Sequence, residues 1–571
     1  YDNVQWVGFQ SKVFQHLDFA DIIPDALDLI TNPLQYFEHL HIVMTNNDAR
    51  RAKVGTGLHP SDHRRIYAAL NERLEAVAIP TAPWQRAAAG ELTSKYRSLS
   101  HEQEKKTRLT DREKRHALAQ ISQLPARIEL HVNSQEAHAF KEHILHTVGM
   151  LHAYRGQLHE NPLRVNLNGR PILEIEVMKN PELTNTVTNT SEAGKTQHRN
   201  TIAKMYPKAQ AATGSLITLP DYRGTQQWKS DPKELIRVGL ADNGRVTQFI
   251  TPIGGDKNAA QNYRIRQKGA VLDLLRWLGF RFNPYHQKAP TAKLPDQLDI
   301  LGFWLFQLNA RKDKEKTVYL PVMVEALYGQ HRLQVTLPNN VSGATIYPTM
   351  REALCAAAAY DADYADMGEA VSFYRQAVAK RRSNNPALLL IADQNLQRAF
   401  DELKTQTVST VTLHNILTEG QAQIRVARLR FSHYDEAPFC ATTAPRSKYN
   451  GLYYHPSAPN VFFSLHDVGN LHISSTKQKL QAPEATANPS TVQIWMNNLQ
   501  AGDDAEAFAH LIHRLRKESS HSTIATVLPQ PLHDTMGLTD YVQRFVKGSG
   551  FSDTEADPAD MDEENSHSRL E

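Results

Sequence analysis

Between Asp231 and Phe282, Arg237, Arg245, Gln248, Lys268, Arg276 and Arg281, all able to grip an anion, fall in one short stretch. Guanidinium forks meet phosphate oxygens two at a time, a lysine adds a point charge, and a side-chain amide adds directed hydrogen bonds. Gathered this closely, they suit a phosphate group. A solvated basic α/β surface would use the same residue types, each arginine then holding a weak surface ion pair. The chain contains no glycine-rich dinucleotide fingerprint and no P-loop, so nucleotide-cofactor chemistry has no support in the sequence. Cys355 and Cys440 are the only cysteines; lacking metal-ligand spacing or a disulfide framework, they fit a reducing cytoplasm. His146, His152 and His159 have no zinc-site spacing and read as ordinary histidines.

These groups need an α/β frame to hold them. The stretch reads as strand, turn (Asp242-Asn243-Gly244), strand (Arg245–Ile250) and helix (Arg264–Trp277). The helix turns Val271, Leu274, Leu275 and Leu278 inward, with Gly279 as its C-terminal cap. Upstream, Ile128, Leu130 and Val132 alternate as a strand. Asn133 caps the next helix with Glu136 as its capping-box partner, and Ala137, Phe140, Ile144, Val148 and Leu151 form its apolar face. Strands at 164–167, 172–177 and 215–219 and a helix at 198–205 complete a Rossmann-like pattern. Further on, strands at 303–306, 318–324 and 333–337, helices at 349–359 and 367–380, and a strand at 387–391 follow an RNase H-like order. Strands at 424–431, 461–465 and 492–496 and an amphipathic helix at 504–517 come after them.

The run Arg237-Val238-Gly239, then Gly244-Arg245-Val246-Thr247-Gln248, resembles the Argonaute MID-domain segment that binds the 5′ phosphate of a guide strand. More closely, Asp231-Pro232-Lys233 through Phe249-Ile250 resembles the bacterial PIWI-RE family, a divergent Argonaute branch. Tyr319-Leu320-Pro321-Val322, Ala392-Asp393-Gln394-Asn395-Leu396, His513-Arg514-Leu515-Arg516 and Leu528-Pro529-Gln530-Pro531-Leu532-His533 follow in matching order. The resemblance implies that Gln248 contacts the first guide nucleotide. Arg237 lies next to the register of the usual phosphate-binding lysine, which falls on Ile236, and Arg276 and Arg281 stand where two further basic ligands come from.

For the second half, the resemblance implies an RNase H-like PIWI domain, whose nucleases hold two divalent metals in clustered carboxylates. Here the first strand ends Phe306-Gln307-Leu308-Asn309, amides where Mg²⁺ or Mn²⁺ wants charge. Asp393 does follow the fourth strand, although a carboxylate there also serves as a helix N-cap. His533 and Asp534 stand near the last ligand position, and Glu325 is a spare acid. Arg514 or Arg516 fits the family arginine, whereas Gln493 stands where its glutamate is expected. A degraded cleavage site is the expectation, with Asp393 and His533 as its remnant. Arg425, Arg428 and Arg430, with Lys477, Lys479 and Arg514, are expected to line a channel for a nucleic-acid backbone.

The whole chain agrees with a polyanion partner. Its net charge is +3, but the tail 551–571 carries eight acids against Arg569, so the body carries +10. No apolar run approaches a membrane span and no signal peptide opens the chain, which lacks an initiator Met and is expected to begin inside a larger protein or after processing. The expected order is the end of an N-terminal region with a charged linker (1–120), a MID-like domain (121–290), a PIWI-like domain (291–547) and an acidic disordered tail (548–571). The expected function is cytoplasmic, guide-dependent nucleic-acid binding in bacterial defence against plasmids or phage, with a helicase and a separate nuclease as partners. The alternatives are an active guided endonuclease using Mg²⁺ or Mn²⁺, or an interaction scaffold with a vestigial pocket.

Overall fold

The computed structural model describes residues 6–10, 13–17, 85–86, 110–121, 124–220, 222, 230–252, 259–281, 293–308, 318–339, 343–359, 367–397, 399–400, 403, 423–431, 451–455, 458–465, 492–516, 526 and 528–542. The sequence pattern predicts a strand at 41–44 and a helix at 63–76; these, with Asn309, Lys477, Lys479 and the acidic tail, lie outside the described residues. The first 57 residues form a separate unit, described by the ribbon β1 (Trp6–Gln10) and β2 (Val13–Leu17). The rest of the chain forms the second unit, which holds two sheets. Its first strand is β3 (Gln85–Arg86), and its first described helix is α1 (Asp111–Ala119).

The MID-like sheet contains β4 (Ala126–His131), β5 (Leu163–Leu167), β6 (Arg170–Val177), β7 (Thr213–Thr218) and β8 (Arg245–Ile250), in the order β5-β6-β4-β7-β8. All but β5 run parallel, the Rossmann-like pattern the sequence predicts. Helix α2 (Ser134–Thr147) starts at the expected capping box, where the Glu136 amide donates to Asn133 Oδ1 at 2.8 Å. Helices α3 (Glu192–Met205), α4 (Lys233–Ala241) and α5 (Ala259–Trp277) complete the layers, and Gly279 at φ +94° closes α5 as read.

Helix α4 corrects the sequence reading, which placed a strand there. Leu235 to Ala241 are buried throughout, because α4 is wedged between β8, α3 and a helix of the next sheet. The short apolar run from Val238 to Ala241, with Gly239 inside it, looks like a core strand.

The second sheet has ten strands. Strands β9 (Asp299–Leu308), β10 (Val318–Ala326), β11 (Leu333–Asn339) and β12 (Gly343–Tyr347) are antiparallel neighbours. After α6 (Met350–Ala359) and α7 (Met367–Ala379), β13 (Ala387–Ala392) runs parallel to β9, and after α8 (Asp393–Leu396) β14 (Ile424–Phe431) runs parallel to β13. Three antiparallel strands followed by two parallel ones give the RNase H-like core. Antiparallel β15 (Gly451–His455), β16 (Ala458–Leu465) and β17 (Val492–Asn497) extend it, and β3 closes the far edge on β15. Helix α9 (Ala505–Leu515) and a 3-10 helix at Leu532–Tyr541 finish the described chain.

One apolar cluster runs without interruption through both sheets. It joins Ile128, Val246, Leu274 and Trp277 of the MID-like layer to Phe306, Val322, Leu354 and Tyr541 of the RNase H-like layer. At about 25 cal/mol per Å² of apolar surface removed from water, a shared core of this kind fixes the two layers against each other. Any site at their junction therefore stands on rigid elements.

Candidate nucleic-acid interface

Three of the six MID-like candidates converge at that junction. Strand β8 carries Gln248 toward α5, where its Nε2 reaches Asp273 Oδ2 at 3.5 Å. One helical turn on, Arg276 pairs with Asp273 at 3.2 Å, and its guanidinium lies 3.9 Å from the centroid of the Trp277 ring. Arg276 also faces Asp534 of the C-terminal 3-10 helix at 3.6 Å. Arg281, just beyond the Gly279 cap, holds the other oxygen of Asp534 at 2.9 Å and donates to Gln530 Oε1. Gln248, Asp273, Arg276, Asp534, Arg281 and Gln530 thus form one polar chain across the two layers. Beside it Arg276, Arg281, His331, Thr349 and Asp534 line a space of about 20 Å³, room for one water-sized group. His331 turns Nδ1 to the Arg281 carbonyl at 3.0 Å, and burial pushes its pKa down.

The other three stand elsewhere. Arg237 is buried on α4, paired with Asp540 at 2.9 Å and set between the rings of Phe249 and Tyr541. It clamps α4 to the 3-10 helix. Arg245 is also buried, with Nε and NH2 on the two oxygens of Glu129 at 2.9 and 3.2 Å and NH1 on the Pro207 carbonyl at 2.6 Å. Arg245 is spent on the interior Glu129, and Arg237 on the half-exposed Asp540 and two rings, which corrects the expectation that they face a phosphate. Lys268 lies half-buried on α5 and, after burial itself, is the strongest influence holding down the pKa of His143.

In the RNase H-like layer Asp393 neither caps a helix nor stands free for a metal. Ala392 is the N-cap, and Asp393 accepts from Arg428 NH2 at 2.7 Å and from Arg430 Nε at 2.8 Å. Two cations already neutralise this buried carboxylate, and Arg428 lies over the Trp495 ring at 4.4 Å. Arg425 is likewise taken by Asp503 at 2.7 and 3.0 Å, so these arginines of β14 hold carboxylates where a backbone channel was expected. Glu325 pairs with Arg381 at 2.7 Å, beside Asp299. Among the described residues no group of three His, Cys, Asp or Glu is arranged to hold a metal ion, and Asp393 with its two arginines does not fit Mg²⁺ or Mn²⁺.

His533 is buried, and burial pushes its pKa down to about 4. It is the neighbouring Asp534 that reaches Arg276 of α5 and Arg281 beyond its cap. In His513-Arg514-Leu515-Arg516, His513 meets Ser464 Oγ at 2.7 Å and Leu515 fills the core. Arg516 is 0% exposed, donating to the carbonyls of Thr526 and Ser464 at 2.8 and 2.7 Å, so it cannot touch a phosphate. Arg514 is half-buried. The sequence reading missed Asp273 and the roles of Gln530 and Asp534. Only the Asp273/Arg276 spacing of three residues, one helical turn, carried a local signal. No helix among the described residues is long and apolar enough to cross a membrane.

Comparison with known proteins agrees with this architecture. The MID domain of pPIWI_RE matches residues 158–286, and the RNaseH domain of pPIWI_RE matches residues 300–544. No curated protein matches the chain. Among solved structures, Clostridium butyricum Argonaute bound to a guide DNA and a 19-mer target DNA is similar at 10% identity, over 88% of this chain and 62% of that one, with TM-score 0.43. A. aeolicus Argonaute is similar at 11% identity, over 88% and 60%, with TM-score 0.38. Drosophila Piwi is similar at 12% identity, over 73% and 47%, with TM-score 0.36. The chain spans about 60% of the length of the two Argonautes. With its MID-like and RNase H-like units matched in order by two domains of one family, the chain belongs to the pPIWI_RE family, an Argonaute-like group.

Proposed function

We propose that the chain binds a short guide strand by its 5′ end and presents it to a complementary target without cutting it. The observation that carries this reading is the polar chain from Gln248 to Gln530. Partly buried groups held at a rigid junction can recognise a strand terminus, whereas surface lysines and arginines take any part of a backbone. Sequence choice then comes from guide–target pairing, with the protein holding the duplex by its backbone. The pairing of Asp393 with Arg428 and Arg430 favours holding over cleavage. In this reading a partner nuclease, with a helicase to open the target, supplies the cut, in the setting of bacterial defence against plasmids or phage.

The test is binding of a short single strand with a free or a streptavidin-blocked 5′ end, to wild type and to Arg276→Gln. A free-end preference of about tenfold that disappears in the variant is expected. Equal binding of free and blocked strands would sink the end-binding reading. Target cleavage in Mg²⁺ or Mn²⁺ that Asp393→Asn abolishes would sink the non-cleaving part.

A further inference from the structure

The junction seat carries its own anion. Asp534 Oδ2 holds Arg281 at 2.9 Å and Oδ1 faces Arg276 at 3.6 Å, so the guanidiniums that would meet an incoming phosphate already meet a carboxylate. A second carboxylate, Asp273, takes Arg276 at 3.2 Å. Asp534 does not ride on a mobile arm. Its side chain is 1% exposed, and its backbone amide donates to the Pro531 carbonyl at 3.0 Å. The flanking Leu532 and Thr535 are both fully buried. The remaining positive groups at the rim add little: burial favours neutral His331, and Arg332 is exposed with Nε on Gln330 at 3.1 Å.

We propose that Asp534 makes this seat select a guide whose 5′ end is a hydroxyl rather than a phosphate. The inference rests on the end-binding reading above and names the terminus that the seat accepts. A phosphate dianion would have to lie against a fixed, buried carboxylate, and like charges at contact distance beside a group this buried repel strongly. The space of about 20 Å³ lined by Arg276, Arg281, His331, Thr349 and Asp534 also suits a water-sized group better than a phosphate. A hydroxyl matches both constraints. It is neutral and water-sized, it can donate to a carboxylate oxygen of Asp534, and its lone pairs can accept from Arg276 or Arg281.

The experiment measures binding of one short strand in three forms, with a 5′ hydroxyl, a 5′ phosphate or a streptavidin-blocked 5′ end, at fixed salt. The full chain is compared with Asp534→Asn, which keeps the shape and removes the charge. Wild type is expected to prefer the hydroxyl over the phosphate by about tenfold, and Asp534→Asn to erase or reverse that ratio. A wild-type preference for phosphate, or a hydroxyl preference untouched by Asp534→Asn, overturns the inference while end binding stands. Tight binding of the blocked strand overturns end binding itself. If Asp534→Asn fails to fold, the wild-type ratio alone decides.

Discussion

Asp393 is held by two guanidiniums, and what it does follows from that rather than from its position after a strand. Arg428 is 1% exposed, so removing its counter-ion leaves a charge in the interior. Losing one member of a buried pair costs about 3–5 kcal/mol, whereas replacing both by apolar groups of similar volume is often neutral. Asp393→Ala is therefore expected to lower stability by about that amount, and Asp393→Leu with Arg428→Met to recover most of it, read as the urea midpoint at constant slope. Lost activity in the alanine variant would then report unfolding as much as chemistry. The sequence displayed the acid but not its partners, since Arg428 lies 35 residues on and faces it only through the β13–β14 pairing. Arg245 tells the same story, its partner Glu129 being 116 residues away. Among the candidate residues, types were legible and pairings were not.

At the scale of elements, the C-terminal 3-10 helix does the joining. Besides Asp534 it supplies Asp540 to Arg237, and Tyr541, whose hydroxyl accepts from the Thr247 amide at 2.8 Å. Gly537 lets it approach α5, because a Cβ there would fall well inside van der Waals contact with the Trp277 indole, which also carries Arg276. Gly537→Ala is expected to cost about 1–3 kcal/mol by overpacking. It should also weaken end-dependent binding by displacing Arg276, both checked by thermal melts beside oligonucleotide titration. Helices with one apolar face, such as α2, α5 and α9, could be read from spacing. A 3-10 segment whose worth lies in contacts with distant elements has no such period, and the apolar run of α4 around Gly239 reads as a strand.

At the scale of the whole molecule, two interior histidines weaken the fold toward acid. Burial pushes both His131 and His533 down to about 4 from the ordinary 6.5. The unfolded chain therefore takes up their protons first. Their contribution to stability should hold steady above pH 6.5 and decline between there and 4, by at most about 2.7 kcal/mol per pH unit if both titrate together. Among the described residues neither ring nitrogen of His131 finds a hydrogen-bond partner, and the ring meets Tyr206 edge-on. His131→Phe should keep that contact and shed about one proton's worth of the slope, measured by urea melts across the range. The order of strands, read as two successive α/β patterns, was the most legible feature, because period and turn residues repeat along the chain.

Strand β3 precedes the entire MID-like layer in sequence yet completes the sheet that follows it. The MID-like layer is thus a loop, threaded out of and back into one continuous ribbon of strands. A fragment cut to hold only the RNase H-like unit would lose β3 and leave the backbone of β15 bare along one side. Such an edge accepts any extended strand, including that of a second copy, so the fragment is expected to pair with itself more readily than the intact chain.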